Sequence, residues 1–193
     1  MTSSNAMSPN YEQAQHLVES TIDEDDRLDA IVNTAGIGRV GTVEDMTLKD
    51  WTDAIQIFLT GVMYGTRAAL PYLKQTDGCI INVASIYGLV GRPGAAAYSA
   101  AKGGVVNLTR EIAVDYASDG VRANGICPGF VETSMTDEYL DQEQFYELLR
   151  GQTPMARVAQ PEEIGGIAMF LASDEASYIT GANIPVDGGW IAH

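Results

Sequence analysis

Apolar positions along the chain alternate between a helical rhythm and short unbroken runs, and each switch marks an expected element. From Asn10, Tyr11, Ala14, Leu17, Val18, Thr21 and Ile22 recur at helical spacing until the run Asp23-Glu24-Asp25-Asp26, which predicts an amphipathic helix with a solvated acidic end. Residues 28–33 then read as a strand. A long helical pattern over residues 47–74 turns Trp51, Ala54, Ile55, Phe58, Leu59, Val62, Met63, Thr66 and Leu70 inward, with Thr47 and Asp50 as a capping pair. The run Cys79-Ile80-Ile81-Asn82-Val83-Ala84, bounded by Gly78 and Gly88, predicts a strand buried on both faces of a parallel sheet. A glycine- and proline-rich loop leads to a helix over residues 98–118, then a strand at 121–127 and an acidic amphipathic helix over 137–150. Tyr139, Leu140, Phe145, Leu148 and Leu149 lie on the apolar side of that acidic helix. Pro161 opens a further helix to about residue 171. Strands alternating with helices predict a parallel α/β fold.

Length allows one domain with a substantial core: residues 1–9 are expected to be a disordered tail and 10–193 one domain. The apolar share of 46% and charged share of 19% are ordinary for a globular protein. The balance of 26 acidic against 11 basic residues is not, and the net charge of -15 opposes binding to nucleic acid or anionic membranes. An acidic shell of this kind suits a salt-rich cytoplasm. Cys79 and Cys127 fall in expected strands and read as buried thiols of a reducing compartment. His16 and His193 have no ligand-like neighbours, so no metal site is expected. The N-terminus lacks a basic start and an apolar core, and no run is long enough to span a bilayer, so a cytoplasmic location is expected.

The chemistry concentrates in residues 78–104. Ser85 stands at the C-terminal end of the expected strand, and Tyr98 and Lys102 lie one turn apart on one helix face. In open α/β sheets ligands bind beyond the carboxyl ends of the strands. A free tyrosine titrates near about 10, too high for base work at neutrality, and a lysine ammonium one turn away favours the phenolate. A serine hydroxyl can orient the same substrate oxygen. Residues 36–41 spell G-x-G-x-x-G after the strand at 28–33, but no helix opens there, so a dinucleotide fingerprint is not expected at that point.

The string GCIINVASIYGLVGRPGAAAYSAAKGG, with its strand-end serine and Tyr-x-x-x-Lys, resembles the active-site segment of the short-chain dehydrogenase/reductase family, classical type. Asn33-Thr34-Ala35-Gly36 resembles the family's Asn-Asn-Ala-Gly turn, with Thr34 in place of the second asparagine. VRANGICPGFVETSM resembles the segment whose Pro-Gly approaches the nicotinamide, and residues 180–189 resemble the family's last strand and its Asp-Gly-Gly end. The resemblance runs from about residue 11 to 190. It implies an oxidoreductase using NAD or NADP on a small-molecule secondary alcohol or ketone. Ser85, Tyr98 and Lys102 would be catalytic. Asn33, Ala35, Gly36, Tyr98, Lys102, Pro128, Gly129 and Thr133 would face the cofactor, and the helices at 47–74 and 98–118 would build a homo-oligomer, a dimer or tetramer. Asn124 is given a structural role, and the region after Pro128-Gly129 a lid over the substrate.

Two departures bear on activity. The family's catalytic asparagine, three residues before the glycine at Gly61, aligns with Phe58, which puts a proton relay through that position in question. The family's Thr-Gly-x-x-x-Gly-x-Gly turn is not in the 193 residues. The expected fold is therefore a Rossmann-like, doubly wound parallel sheet that lacks its N-terminal part. Only the latter four strands remain, with the strand at 28–33 left as an open edge. The alternative to an enzyme is an inactive, scaffold-like subunit that oligomerises with a complete reductase.

Overall fold

The computed structural model describes residues 9–34, 36, 41–133, 136 and 141–192. The expected tail falls outside them apart from Pro9, as do residues 37–40 of the G-x-G-x-x-G string and residues 137–140 of the acidic helix. Helix α1 (Tyr11–Asp25) starts where the Asn10 side chain accepts from the Glu12 amide at 2.8 Å, and it ends at Asp26 in the left-handed conformation. Strand β1 (Ala30–Asn33) follows. Thr47 caps helix α2 (Leu48–Ile55) by accepting from the Asp50 amide at 3.0 Å. A single π turn, Gln56–Thr60, joins α2 to helix α3 (Gly61–Thr76).

Strand β2 (Cys79–Val83), helix α4 (Ala96–Tyr116), strand β3 (Arg122–Pro128), helix α5 (Glu143–Gln152), helix α6 (Pro161–Ala172) and strand β4 (Asn183–Val186) complete the order. Pro161 at the first position and a capping box between Gln160 and Glu163 start α6. The four strands make one parallel sheet in the order β1-β2-β3-β4. The two faces of β2 explain its unbroken apolar run. Ile80 packs with Val18 of α1, Leu73 of α3 and Ile112 of α4, while Cys79 and Ile81 pack with Leu171 of α6 on the other face. Among the described residues β1 pairs only with β2, and Val32 on it is half exposed, so the expected open edge is present.

The π turn alters the inward face expected for residues 47–74. Ala54, Phe58, Val62, Thr66 and Leu70 are buried, but Trp51 and Met63 stand exposed. The extra residue of a π turn slips the helix face by about one position, so a single 3.6-residue stripe cannot describe both halves.

A chain of amides and hydroxyls ties the sheet to its helices. Asn33 Nδ2 donates to Asn82 Oδ1 at 2.8 Å, Asn82 Nδ2 donates to Thr109 Oγ1 at 2.9 Å, and Thr109 Oγ1 donates to the Val105 carbonyl at 2.8 Å. Asn82 and Thr109 are fully buried, so each link keeps a polar group from being stranded in the core. Asn124 does the same on the far side: its Nδ2 donates to the Ile179 carbonyl at 2.8 Å and its Oδ1 accepts from the Ala182 amide at 3.1 Å. This matches the structural role expected of it.

Candidate active site

The carboxyl ends of β2 and β3 and the first turns of α4 converge on one region. Ser85 follows β2 by two residues, is buried, and accepts from the Tyr87 amide at 3.2 Å, which starts a short 3-10 turn, Ile86–Gly88. Gly88 allows that turn to lie on α4. A Cβ added at Gly88 would stand 2.7 Å from the Lys102 carbonyl oxygen, a backbone atom unable to yield cheaply. The glycine thus sets Ser85 against the helix that carries Tyr98 and Lys102.

Tyr98 and Lys102 are brought together as expected. The Lys102 ammonium lies 5.9 Å from the centroid of the Tyr98 ring and donates to the Val83 carbonyl at 2.7 Å. Burial pulls Lys102 down from 10.5 to about 8, with Cys127 acting in the opposite direction. Cys127, itself fully buried, is pushed up by burial to about 11 and remains a thiol.

Tyr98 differs from the expectation for it. Burial is the largest influence and leaves its pKa above the ordinary value; the Ser85 side chain, by hydrogen bonding, and the Arg92 guanidinium offset only part of that rise. The lowering influences therefore come from Ser85 and Arg92 rather than from Lys102. The Lys102 charge is instead held over the ring of Phe58, 5.0 Å from its centroid. Phe58 sits in the π turn, fully buried, and meets Tyr98 edge to face with ring centroids 5.1 Å apart at 87°. An aromatic ring thus packs both Tyr98 and Lys102 where the expected asparagine would offer an amide, and the helix keeps its irregular turn without that amide.

The other expected positions are less uniform. The Asn33 side chain is engaged with Asn82 and, at 3.4 Å, with Thr66, so its amide serves the sheet. Ala35 lies outside the described residues. Gly36 follows β1 on the same side as Ser85 and Pro128, at the carboxyl ends of the strands. Pro128 ends β3. Gly129 has a reason of its own, because a Cβ there would lie 2.9 Å from the Asp187 Cα as the chain leaves β4. Thr133 is exposed and its amide donates to Thr136 Oγ1 at 3.0 Å. In the G-x-G-x-x-G string, Gly41 bridges to Ala95, its amide donating to the Gly94 carbonyl at 2.7 Å, and among the described residues no helix opens between Gly41 and Leu48.

A nicotinamide cofactor can be tested against Lys102. An ammonium has three donors; one goes to Val83, and no acceptor among the described residues takes the other two. A buried cation with spare donors beside Tyr98 fits sugar hydroxyls, the chemistry that a nicotinamide ribose offers.

One group lay outside the sequence reading. Tyr87, Phe130, Phe145 and Trp190 form a chain of ring contacts around Phe130, at 6.2, 6.3 and 5.1 Å between centroids, with Arg92 over Tyr87. Its members come from four separate segments, and no local spacing announces it.

Comparison with known proteins places these features in context. A family model described as enoyl-(acyl carrier protein) reductase matches residues 9–191. Meso-2,3-butanediol dehydrogenase of Serratia marcescens is 45% identical over 163 residues, covering 84% of this chain and 64% of that protein. Cyclopentanol dehydrogenase of Comamonas sp. (strain NCIMB 9872) is 46% identical over 177 residues, covering 91% and 71%. The chain thus spans about two thirds of the length of the curated relatives it matches. Among solved structures, a gluconate 5-dehydrogenase from Burkholderia cenocepacia J2315 in complex with NADP and tartrate superposes with a TM-score of 0.90 at 31% identity, covering 95% of this chain and 72% of that one.

Proposed function

The chain belongs to the classical type of the short-chain dehydrogenase/reductase family, and from that premise we propose that it carries the catalytic part of an NAD(P)-dependent oxidoreductase interconverting secondary alcohols and ketones. The observation that carries the reading is the meeting of Ser85, Tyr98 and Lys102 at the end of β2. The butanediol and cyclopentanol dehydrogenases are named for secondary alcohols, and the gluconate dehydrogenase was solved with NADP.

A bound nicotinamide would supply the hydride acceptor or donor. The Ser85 hydroxyl orients the substrate oxygen, and Tyr98 takes the substrate proton as the phenolate in oxidation and returns it as the phenol in reduction. Burial holds the resting phenol protonated, and Ser85 and Arg92 offset part of that rise by favouring the phenolate. Lys102 keeps a positive charge beside the site and offers its spare donors to the ribose. Pro128, Gly129, Gly36 and Thr133 border the region the nicotinamide would enter. Phe58 excludes water from the Tyr98 and Lys102 pair, so the proton leaves by the substrate side and not through the helix interior.

Assembly into a homo-oligomer through α2, α3 and α4 belongs to the same reading, supported by the exposed Leu48, Trp51 and Met63. A reducing cytoplasmic setting is supported by the two free buried cysteines. Among the described residues no helix is long and apolar enough to cross a membrane.

The test is a titration of NADH and NADPH into the 193-residue chain, followed by cofactor fluorescence and by oxidation of a panel of secondary alcohols. Saturable binding is expected, with Tyr98→Phe retaining it and reducing turnover by about 10²- to 10⁴-fold. Absence of binding from folded protein, or undiminished turnover in Tyr98→Phe, refutes the reading.

A further inference from the structure

Among the described residues Arg92 is a cation without an anion. Its guanidinium carbon lies 5.1 Å from the Tyr87 ring centroid and 5.8 Å from that of Phe130. Five other cations are paired, Arg27 with Asp29, Lys49 with Asp53, Lys74 with Asp119, Arg150 with Glu147 and Arg157 with Glu163, whereas Arg67 over the Tyr11 ring, Arg110, and Arg122 on two carbonyls share with Arg92 the lack of a carboxylate at ion-pair distance among the described residues. With 26 acidic residues for 11 basic ones, a partner for Arg92 would be easy to provide. Yet among the described residues no carboxylate stands at ion-pair distance from it and no acceptor takes its N–H groups.

The surroundings give this charge a direction. A guanidinium over aromatic rings has its face occupied, while its donors project from the edge as a planar fork that matches a carboxylate. Arg92 shares the loop after β2 with Ser85 and acts on the Tyr98 phenol, so it belongs to the same region as the reacting groups. Phe130 continues from it to Phe145, edge to face at 82°, and to Trp190, tilted at 59°, as an apolar aromatic cluster. The half-buried position of Arg92 strengthens a charge-assisted bond relative to one in open water.

We propose that Arg92 is the specificity-determining residue of this site and takes a carboxylate of the substrate. The substrate class is then a hydroxy acid, or the matching keto acid, with an apolar body lying against the Phe130 ring cluster. This rests on the dehydrogenase reading above, whose relatives are named for neutral alcohols as well.

The test compares 4-hydroxycyclohexanecarboxylate with its neutral amide by calorimetric titration into the 193-residue chain, with and without NADH, alongside NAD(P)-dependent oxidation of both and of neutral alcohols. The acid is expected to bind about 10- to 100-fold more tightly than the amide, the range of a charge-assisted bidentate bond. Arg92→Met should bring that ratio to within about threefold of unity, and Arg92→Lys should retain part of it, because an ammonium keeps the charge without the fork. Equal binding of acid and amide to the unsubstituted chain, binding of neither, or a ratio unmoved in an Arg92→Met protein with an unchanged circular dichroism spectrum overturns the proposal. If Arg92→Met does not fold, the unsubstituted ratio and Arg92→Lys still decide. Oxidation of neutral alcohols without any preference for the acid defeats the carboxylate site alone. A preference for the acid with no oxidation of any substrate defeats the dehydrogenase reading alone.

Discussion

Replacing Lys102 by methionine should stabilise the folded chain at neutral pH. The lysine is 4% exposed, and burial brings it from 10.5 to about 8. At about 1.4 kcal/mol per pH unit, that fall corresponds to about 3 kcal/mol of unfavourable burial of the charged form. Below pH 8 both folded and unfolded chains hold the proton, and the penalty is constant. Between about 8 and 10.5 the unfolded chain keeps a proton that the folded chain has released, so stability rises with pH. Above 10.5 neither state is charged and the contribution disappears. Methionine fills a similar volume but leaves the Val83 carbonyl, now 2.7 Å from the ammonium, without its donor, at a cost of about 1–2 kcal/mol. The expected balance is about 1–2 kcal/mol of added stability at pH 7, turning into a loss of similar size by pH 10.5. Urea unfolding of both proteins at pH 7, 9 and 10.5 measures the difference directly, and comparison within each pH cancels the titration of groups other than Cys127, whose thiol feels the Lys102 charge. A difference that stays constant across that range would refute the reasoning, because the pH dependence comes from the Lys102 proton.

Two other substitutions probe how the site is held. Asn82→Ala removes both links of the central amide chain and should cost about 2–4 kcal/mol in urea unfolding; a cost below about 0.5 kcal/mol would mean that solvent or neighbouring groups replace those bonds. Gly88→Ala forces a Cβ to within 2.7 Å of the Lys102 carbonyl, so it should destabilise by about 1–3 kcal/mol and lower turnover with a secondary alcohol disproportionately, by about 10²-fold, as Ser85 shifts from α4. Retained activity in folded Gly88→Ala would show that the turn does not depend on that contact.

The elements were legible where one physical demand governs many residues. The buried run of β2, the Thr47 cap and Pro161 at the start of α6 each state their structure locally, and the four-strand parallel sheet follows from their alternation. Ser85, Tyr98 and Lys102 were legible as a set because strand end and helix turn fix their relative places. The source of the influence on Tyr98 was not. Sequence separation puts Lys102 one turn away, whereas the direction of a lysine side chain depends on which ring and which carbonyl receive it. The demand on Asn33 was equally hidden, since Asn82 and Thr66 become its neighbours only when β1, β2 and α3 assemble. The aromatic group around Phe130 escaped for the same reason, being assembled from distant segments.

The π turn at Gln56–Thr60 makes chain length, and not side-chain identity, the sensitive variable in the long helical segment. Each residue advances an α-helix by about 100°. Deleting one residue within the turn would restore regular winding but leave one half of the segment rotated by that amount relative to the other. Either Phe58 would leave the Tyr98 and Lys102 pair, or Thr66 and Leu70 would leave the sheet. A one-residue deletion there should therefore be harsher than most substitutions, while a substitution that keeps the count can change what meets Lys102 and preserve the frame. The segment behaves as a spacer of fixed length whose contents are open to exchange.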